Sequence, residues 1–125
     1  MLTPTTSIKT NNFPELFKQI GNIVYISIPS TVTQICDHSF SGCTALIKIE
    51  LPQSIINIDE YAFSDCSALT TIELPQSIAN IGNYAFNRCS SLIKVIIPSS
   101  VTQICDHIFN ECSSLTEVEL PESIT

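Results

Sequence analysis

No apolar run in this sequence approaches the ~18 residues that a membrane-spanning helix needs, although apolar residues make up 44% of the chain. The opening stretch, MLTPTTSIKTNNF, holds no apolar segment of the kind that marks a secretory leader. No Asn-x-Ser/Thr glycosylation acceptor occurs either. These absences set the expectation of a cytoplasmic protein; a place on the cell surface would need a route without a signal peptide. Basic residues are scarce as well. Lys9, Lys18, Lys48, Arg88 and Lys94 are scattered among twelve acidic residues, for a net charge of −7. Without a basic stripe to follow a phosphate backbone, nucleic acid is excluded as a partner. Charged residues are only 14% of the chain, and that balance belongs to a packed chain rather than a disordered one.

What the sequence does have is a repeat. The stretch LIKIELPQSIINIDEYAFSDCSA at residues 46–68 returns at 69–91 as LTTIELPQSIANIGNYAFNRCSS, again at 92–114, and more weakly at 23–45. A further copy begins at Leu115 and runs to Thr125. Pro29, Pro52, Pro75, Pro98 and Pro121 stand 23 residues apart, and so do Phe40, Phe63, Phe86 and Phe109. A fixed period of this size is the signature of a solenoid, in which each repeat buries its apolar side against its neighbours. The six cysteines obey the same period. Cys43, Cys66, Cys89 and Cys112 share one repeat position, and Cys36 and Cys105 share another. They follow the solenoid rather than a bridge pattern, which points to reduced thiols.

Residues 1–22 lie outside this pattern. Residues 1–11 read as a polar tail. In NNFPELFKQIGN, Pro14 suits a first helical turn, Phe13, Leu16, Phe17 and Ile20 fall on one helical face, and Gly21 can end the helix. The segment is expected to be a helical cap over the first repeat, because a terminal repeat has one uncovered apolar side.

Within each repeat, numbered from Ile23, Leu46, Leu69, Leu92 and Leu115, positions 1, 4 and 6 are apolar and position 5 is mostly polar. Ile49-Glu50-Leu51 thus alternates as a half-buried strand does. Proline at position 7 cannot donate to a ladder and ends the strand. Positions 10 and 13 point inward again. Positions 15–18, such as Glu60-Tyr61-Ala62-Phe63, are expected to make one helical turn with the phenylalanine inward. Strands stacked ~4.8 Å apart would form a parallel sheet, with each phenylalanine and each cysteine lying over its counterpart.

The pattern Leu-x-x-Ile-x-Leu-Pro-x-Ser-Ile-x-x-Ile-x-x-x-Ala-Phe-x-x-Cys resembles the BspA-like leucine-rich repeat family over residues 23–125, departing at Ser39, Ile108 and Gly82. The resemblance implies a β-rich α/β fold: a right-handed leucine-rich-repeat solenoid with a parallel sheet on its concave face. It also implies a non-enzymatic scaffold for protein–protein contact, or a cell-surface adhesin binding extracellular matrix or host protein. The usual contact face of such repeats corresponds to positions 3 and 5: Tyr25, Ser27, Lys48, Glu50, Thr71, Glu73, Lys94, Ile96, Glu117 and Glu119. This column varies while the rest of the repeat is copied. The competing reading is a solvated sheet face.

Chemistry is not expected. Cys36-Asp37-His38 and Cys105-Asp106-His107 contain the parts of a thiol nucleophile site, but side chains two residues apart need not meet, and the two copies lie three repeats apart. Duplication of TQICDH with its repeat explains both. The cysteine column is a line, whereas tetrahedral zinc needs ligands converging on a point; buried free cysteine behaves as a small hydrophobe. No catalytic residue, metal ligand or cofactor is assigned. The last expectation concerns the C-terminal end. Leu115, Val118, Leu120 and Ile124 occupy inward positions that no later repeat covers, and an outer strand edge is a template for another edge. Self-association through this end is expected, with Glu117, Glu119 and Glu122 as the charges that could instead blunt it.

Overall fold

The computed structural model describes residues 7–8, 24–102, 104–105 and 107–122. The chain passes through nine short strands: β1 (Ser7–Ile8), β2 (Val24–Ser27), β3 (Gln34–Ile35), β4 (Leu46–Glu50), β5 (Asn57–Ile58), β6 (Thr71–Glu73), β7 (Asn80–Ile81), β8 (Lys94–Ile96) and β9 (Glu117–Glu119). Every ladder is parallel. The fold is a parallel-strand β-solenoid of the leucine-rich repeat type.

Each turn of the solenoid is built by its own sequence. Alternation at positions 3–5 gives a strand with one buried central residue: Ile49, Ile72 and Val95 are buried between exposed or half-buried neighbours. The proline after the strand turns the chain and lends its carbonyl to the corner. Val32 N–H donates to Pro29 O at 3.1 Å, Ile55 to Pro52 at 3.2 Å, Ile78 to Pro75 at 3.2 Å and Val101 to Pro98 at 3.1 Å. The serine two residues past the proline ties the corner to the preceding turn, with Ser54 Oγ donating to Val32 O and Ser77 Oγ to Ile55 O, both at 2.6 Å. Positions 12 and 13 then form a second, narrower sheet with strand order β1-β3-β5-β7.

That second sheet reaches further back than the repeat pattern does. Ser7 and Ile8, part of the stretch read as a polar tail, pair with Gln34 and Ile35 as β1. The chain from β1 to β3 is longer than the 23-residue turns that follow, which is why the spacing hides it from a search for a fixed period. The helical cap expected over residues 12–21 lies outside the described residues.

The helical turn expected at positions 15–18 is not there; among the described residues there is no helix. His38, Tyr61, Tyr84 and His107, all at position 16, have φ between +57° and +59°, and position 20 is left-handed too, at Gly42, Asp65, Arg88 and Glu111. A left-handed residue cannot continue a right-handed helical turn. Consecutive tight turns replace it, each rung donating to the carbonyls of the next: Phe40 N–H to Ala62 O at 2.8 Å, Phe63 to Ala85 at 2.8 Å.

These turns still deliver the phenylalanines to the interior. Phe40, Phe63 and Phe86 are fully buried, and the four rings stack along the axis with centroids 5.3, 5.3 and 5.8 Å apart. Ala62 and Ala85 beside them leave room for the neighbouring turn. The thiols of Cys66, Cys89 and Cys112 donate to the carbonyls of Phe40, Phe63 and Phe86 at 3.1, 3.1 and 3.0 Å. A cysteine column is thus a satisfied hydrophobic column with its weak donors used. Gly82 marks the tightest approach of two turns. A Cβ there would lie 2.7 Å from Glu60 N.

Candidate interaction face

The wide strands carry the candidate face. Isoleucine or valine at position 4 turns inward, so positions 3 and 5 turn outward by the two-residue period of a strand. Tyr25, Ser27, Lys48, Glu50, Thr71, Glu73, Ile96, Glu117 and Glu119 are exposed and Lys94 is half-buried. The two largest apolar groups on the face stand well out of it, Tyr25 at 69% exposed and Ile96 at 51%.

The register groups these residues into two sets. Tyr25 lies beside Lys48, and Ser27 beside Glu50. Thr71, Lys94 and Glu117 form one row, and Glu73, Ile96 and Glu119 another. The two sets are not joined. The wide sheet is split into a pair, β2-β4, and a triplet, β6-β8-β9. Ile93 N–H donates to Thr70 O and Thr116 N–H to Ile93 O, each at 3.0 Å. The equivalent bond from Thr70 to Ile47 is absent among the described residues.

Three adjoining hollows run along the face. One of about 440 Å³ lies between Tyr25, Ser27, Lys48 and Glu50. One of about 270 Å³ sits at the split, lined by Lys48, Glu50, Thr71 and Glu73. One of about 400 Å³ lies between Thr71, Glu73, Gln76, Lys94, Ile96 and Pro98. Lys94 bridges two glutamates of the next turn, Glu119 at 3.2 Å and Glu117 at 3.4 Å. Those hydrogen bonds, to Glu119 first, hold its ammonium above the usual lysine range. Glu50 and Glu73 have no ion pair among the described residues.

Of the residues expected at the self-associating end, Leu115 is half-buried against the core. Val118 and Leu120 are 37% and 57% exposed, and Ile124 lies outside the described residues.

On another flank the rings at position 16 form a ladder. His38, Tyr61, Tyr84 and His107 stack with centroids 4.9, 5.0 and 5.0 Å apart. Beside them Asn110 Nδ2 donates to Asn87 Oδ1 at 2.8 Å, and Asn87 Nδ2 to Ser64 Oγ at 3.3 Å. Ring and amide stack by the same period, and the common position of His and Tyr was the signal for it.

The Cys36-Asp37-His38 triad does not assemble. Asp37 Oδ1 accepts from the Glu60 backbone N–H at 3.1 Å, and His38 lies against Tyr61. Both side chains that would serve Cys36 are engaged with the next turn. Asp106 lies outside the described residues. Hydrogen bonding to Cys43 and burial push the Cys66 thiol up, as hydrogen bonding to Cys112 and burial do for Cys89. Such thiols are poor nucleophiles and poor metal ligands. No group of three or more His, Cys, Asp or Glu among the described residues could hold a metal ion.

A parallel solenoid whose rungs repeat Leu, Pro, Phe and Cys, with a varied outer strand column, defines a leucine-rich repeat protein. The model of the BspA type leucine rich repeat region matches residues 6–125 in six copies, and the chain belongs to that family. The match begins at residue 6, next to β1. Solved structures of leucine-rich repeat proteins are similar to this chain. A leucine-rich repeat protein from Bacteroides ovatus is 38% identical over 96% of this chain, with a TM-score of 0.84. A leucine rich cell surface protein from Faecalibacterium prausnitzii is 30% identical over 95%, with a TM-score of 0.83. The Treponema pallidum leucine rich repeat protein is 34% identical over 79%, with a TM-score of 0.69. This chain spans 30% of each of the first two and 57% of the third. No curated protein matches it.

Proposed function

We propose that this chain is a non-enzymatic scaffold that binds a protein partner through the wide strand face. The observation that carries the reading is the contrast between columns. Inward positions are copied from rung to rung, while the outward column varies among Tyr, Ser, Lys, Thr, Ile and Glu, and eight of its ten residues border three adjoining hollows. The test is crosslinked capture of partners from native cells by the intact chain, beside a variant with Tyr25→Ser and Ile96→Ser. Loss of the captured partner in the variant supports the face; undiminished capture moves the interface elsewhere.

The compartment proposed is the cytoplasm, where six thiols stay reduced. The second reading is an adhesin at the cell surface, favoured by the likeness to the F. prausnitzii surface protein. Fractionation of native cells separates the two. Self-association through β9 is a further part of the proposal, supported by the exposure of Val118 and Leu120. The apolar side of that rung is open to another repeat or to a second copy. Light scattering should show assembly of the intact chain at tens of micromolar and monomers after Val118→Lys with Leu120→Lys.

A further inference from the structure

The flank that carries the stacked rings is built differently from the strand face, and binding at the strand face makes no use of it. His38, Tyr61 and Tyr84 border an open hollow of about 410 Å³, with Ser64, Asn87 and Asn110 along it as well. The ring faces are taken by each other, with centroids 4.9 and 5.0 Å apart and planes within 4° of parallel. The rings are left with their edges, the two phenol hydroxyls among them. Neither hydroxyl bonds to another described residue.

The amides are polar and held in place. Ser64 and Asn87 are more than nine-tenths buried, at 2% and 8% exposed. Asn87 Oδ1 accepts from Asn110 Nδ2 at 2.8 Å, and Asn87 Nδ2 donates to Ser64 Oγ at 3.3 Å. A side-chain amide has two donors and two acceptor positions, so among the described residues Asn87 keeps one of each. Asn110 Nδ2 also donates to Glu111 Oε2 at 3.3 Å, which leaves its own carbonyl oxygen open.

Charge and spacing narrow what fits. Arg88 is bridged to Glu111 at 3.2 Å, and Asp65 also lines the hollow. One guanidinium against two carboxylates gives no excess of positive charge for a phosphate chain. An extended peptide is out of step, because its same-side groups recur about every 6.7 Å against rings 4.9 and 5.0 Å apart. An extended chain of equatorially linked pyranose rings advances close to one rung per sugar. Each of its sugars brings hydroxyls that both donate and accept.

We infer that this hollow is a second binding site, separate from the strand face, and that it takes an extended, uncharged polysaccharide lying along the solenoid axis with one sugar to a rung. The hydroxyls of Tyr61 and Tyr84 and the open amide positions of Asn87 and Asn110 bond the sugar hydroxyls. Sugars meet ring edges here, since the ring faces are already stacked.

The test is calorimetric titration of the intact chain with hexamers of β-linked glucose, mannose and N-acetylglucosamine, beside the coiled hexamer of α-linked glucose. At least one extended hexamer should bind, and the coiled one should not. Affinity should rise with sugar number and level off at four, one for each ring of the ladder. Tyr61→Phe with Tyr84→Phe keeps the stack and removes both hydroxyls. It should weaken binding about tenfold or more, the scale of two lost hydrogen bonds. Tyr25→Ser with Ile96→Ser should leave sugar binding unchanged, and circular dichroism checks the fold of each variant. No binding by any extended hexamer, or undiminished binding by the phenylalanine variant, would overturn the site without touching the strand face. Equal binding of the coiled hexamer would overturn the fit of sugar to rung, and loss of sugar binding in the strand-face variant would place the sugar on the other face.

Discussion

The molecule contains two parallel sheets made by the same repeat, and only one of them is continuous. The narrow sheet runs through β1, β3, β5 and β7 without a break, joining Gln34–Ile35, Asn57–Ile58 and Asn80–Ile81. Gln34, Asn57 and Asn80 put uncharged amides on its outward side; Asn80 Nδ2 donates to Asn57 Oδ1 at 2.9 Å, and Gln34 Nε2 donates to Asp59 Oδ2 at 2.7 Å. The wide sheet has equally good inward residues but stops at Glu50 and Glu73 and starts again. The comparison teaches that a shared core sets where strands lie, whereas the outward column decides whether they pair. The wide sheet carries charge and apolar bulk where the narrow one carries amides, and it gives up ladder bonds there.

The largest expected effect tests the common core beneath both sheets. Phe86→Ala removes a fully buried ring stacked on both sides and should cost about 3–5 kcal/mol in urea denaturation. A loss under about 1 kcal/mol would mean that the phenylalanine column is not what both sheets rest on. The same variant should expose Cys89, whose thiol is buried beside the ring column. In the intact protein a thiol reagent should reach Cys105, which is exposed, and reach Cys43, Cys66 and Cys89 only on unfolding.

Next in size is the spacing of turns on the narrow side. Gly82→Ala places a methyl 2.7 Å from Glu60 N and 2.9 Å from the Asp59 carbonyl carbon. Backbone cannot yield as a side chain would, so the cost should be about 1–3 kcal/mol. Denaturation that leaves the midpoint unchanged would show that adjacent turns can slide apart.

Much of this was legible in the sequence, for a physical reason. A solenoid repeats its environment every 23 residues, so position 18 meets the same neighbours in each copy and the phenylalanine column reads directly. The strand at positions 3–5 and its ten outward residues followed from alternation and proline. The turn at positions 15–18 did not. Glu60-Tyr61-Ala62-Phe63 has no glycine to announce a left-handed residue, and Tyr61 adopts φ of +57° because rung-to-rung bonds and ring stacking hold it there. The strand at Ser7–Ile8 was hidden because its turn is longer than the period. The split between β4 and β6 was hidden because Glu50 and Glu73, each taken alone, suit an exposed strand.

The smallest stability effect bears most directly on the difference between the sheets. Glu73→Thr leaves Glu50 beside a neutral side chain instead of a second acid and should stabilise the chain by about 0.2–1 kcal/mol, the scale of one cross-strand pair. A destabilised variant would mean that the glutamates hold the split together rather than apart.

Amide hydrogen exchange, read residue by residue, tests that difference without relying on a small midpoint shift. Backbone amides exchange through local openings whose cost depends on their hydrogen bonds. Thr70–Glu73 should exchange faster than Asn80–Ile81 in the intact chain, and Glu73→Thr should slow Thr70–Glu73 while leaving Asn80–Ile81 unchanged. Equal protection of the two stretches in the intact chain, or no slowing in the variant, would contradict the claim that the outward column decides which strands pair.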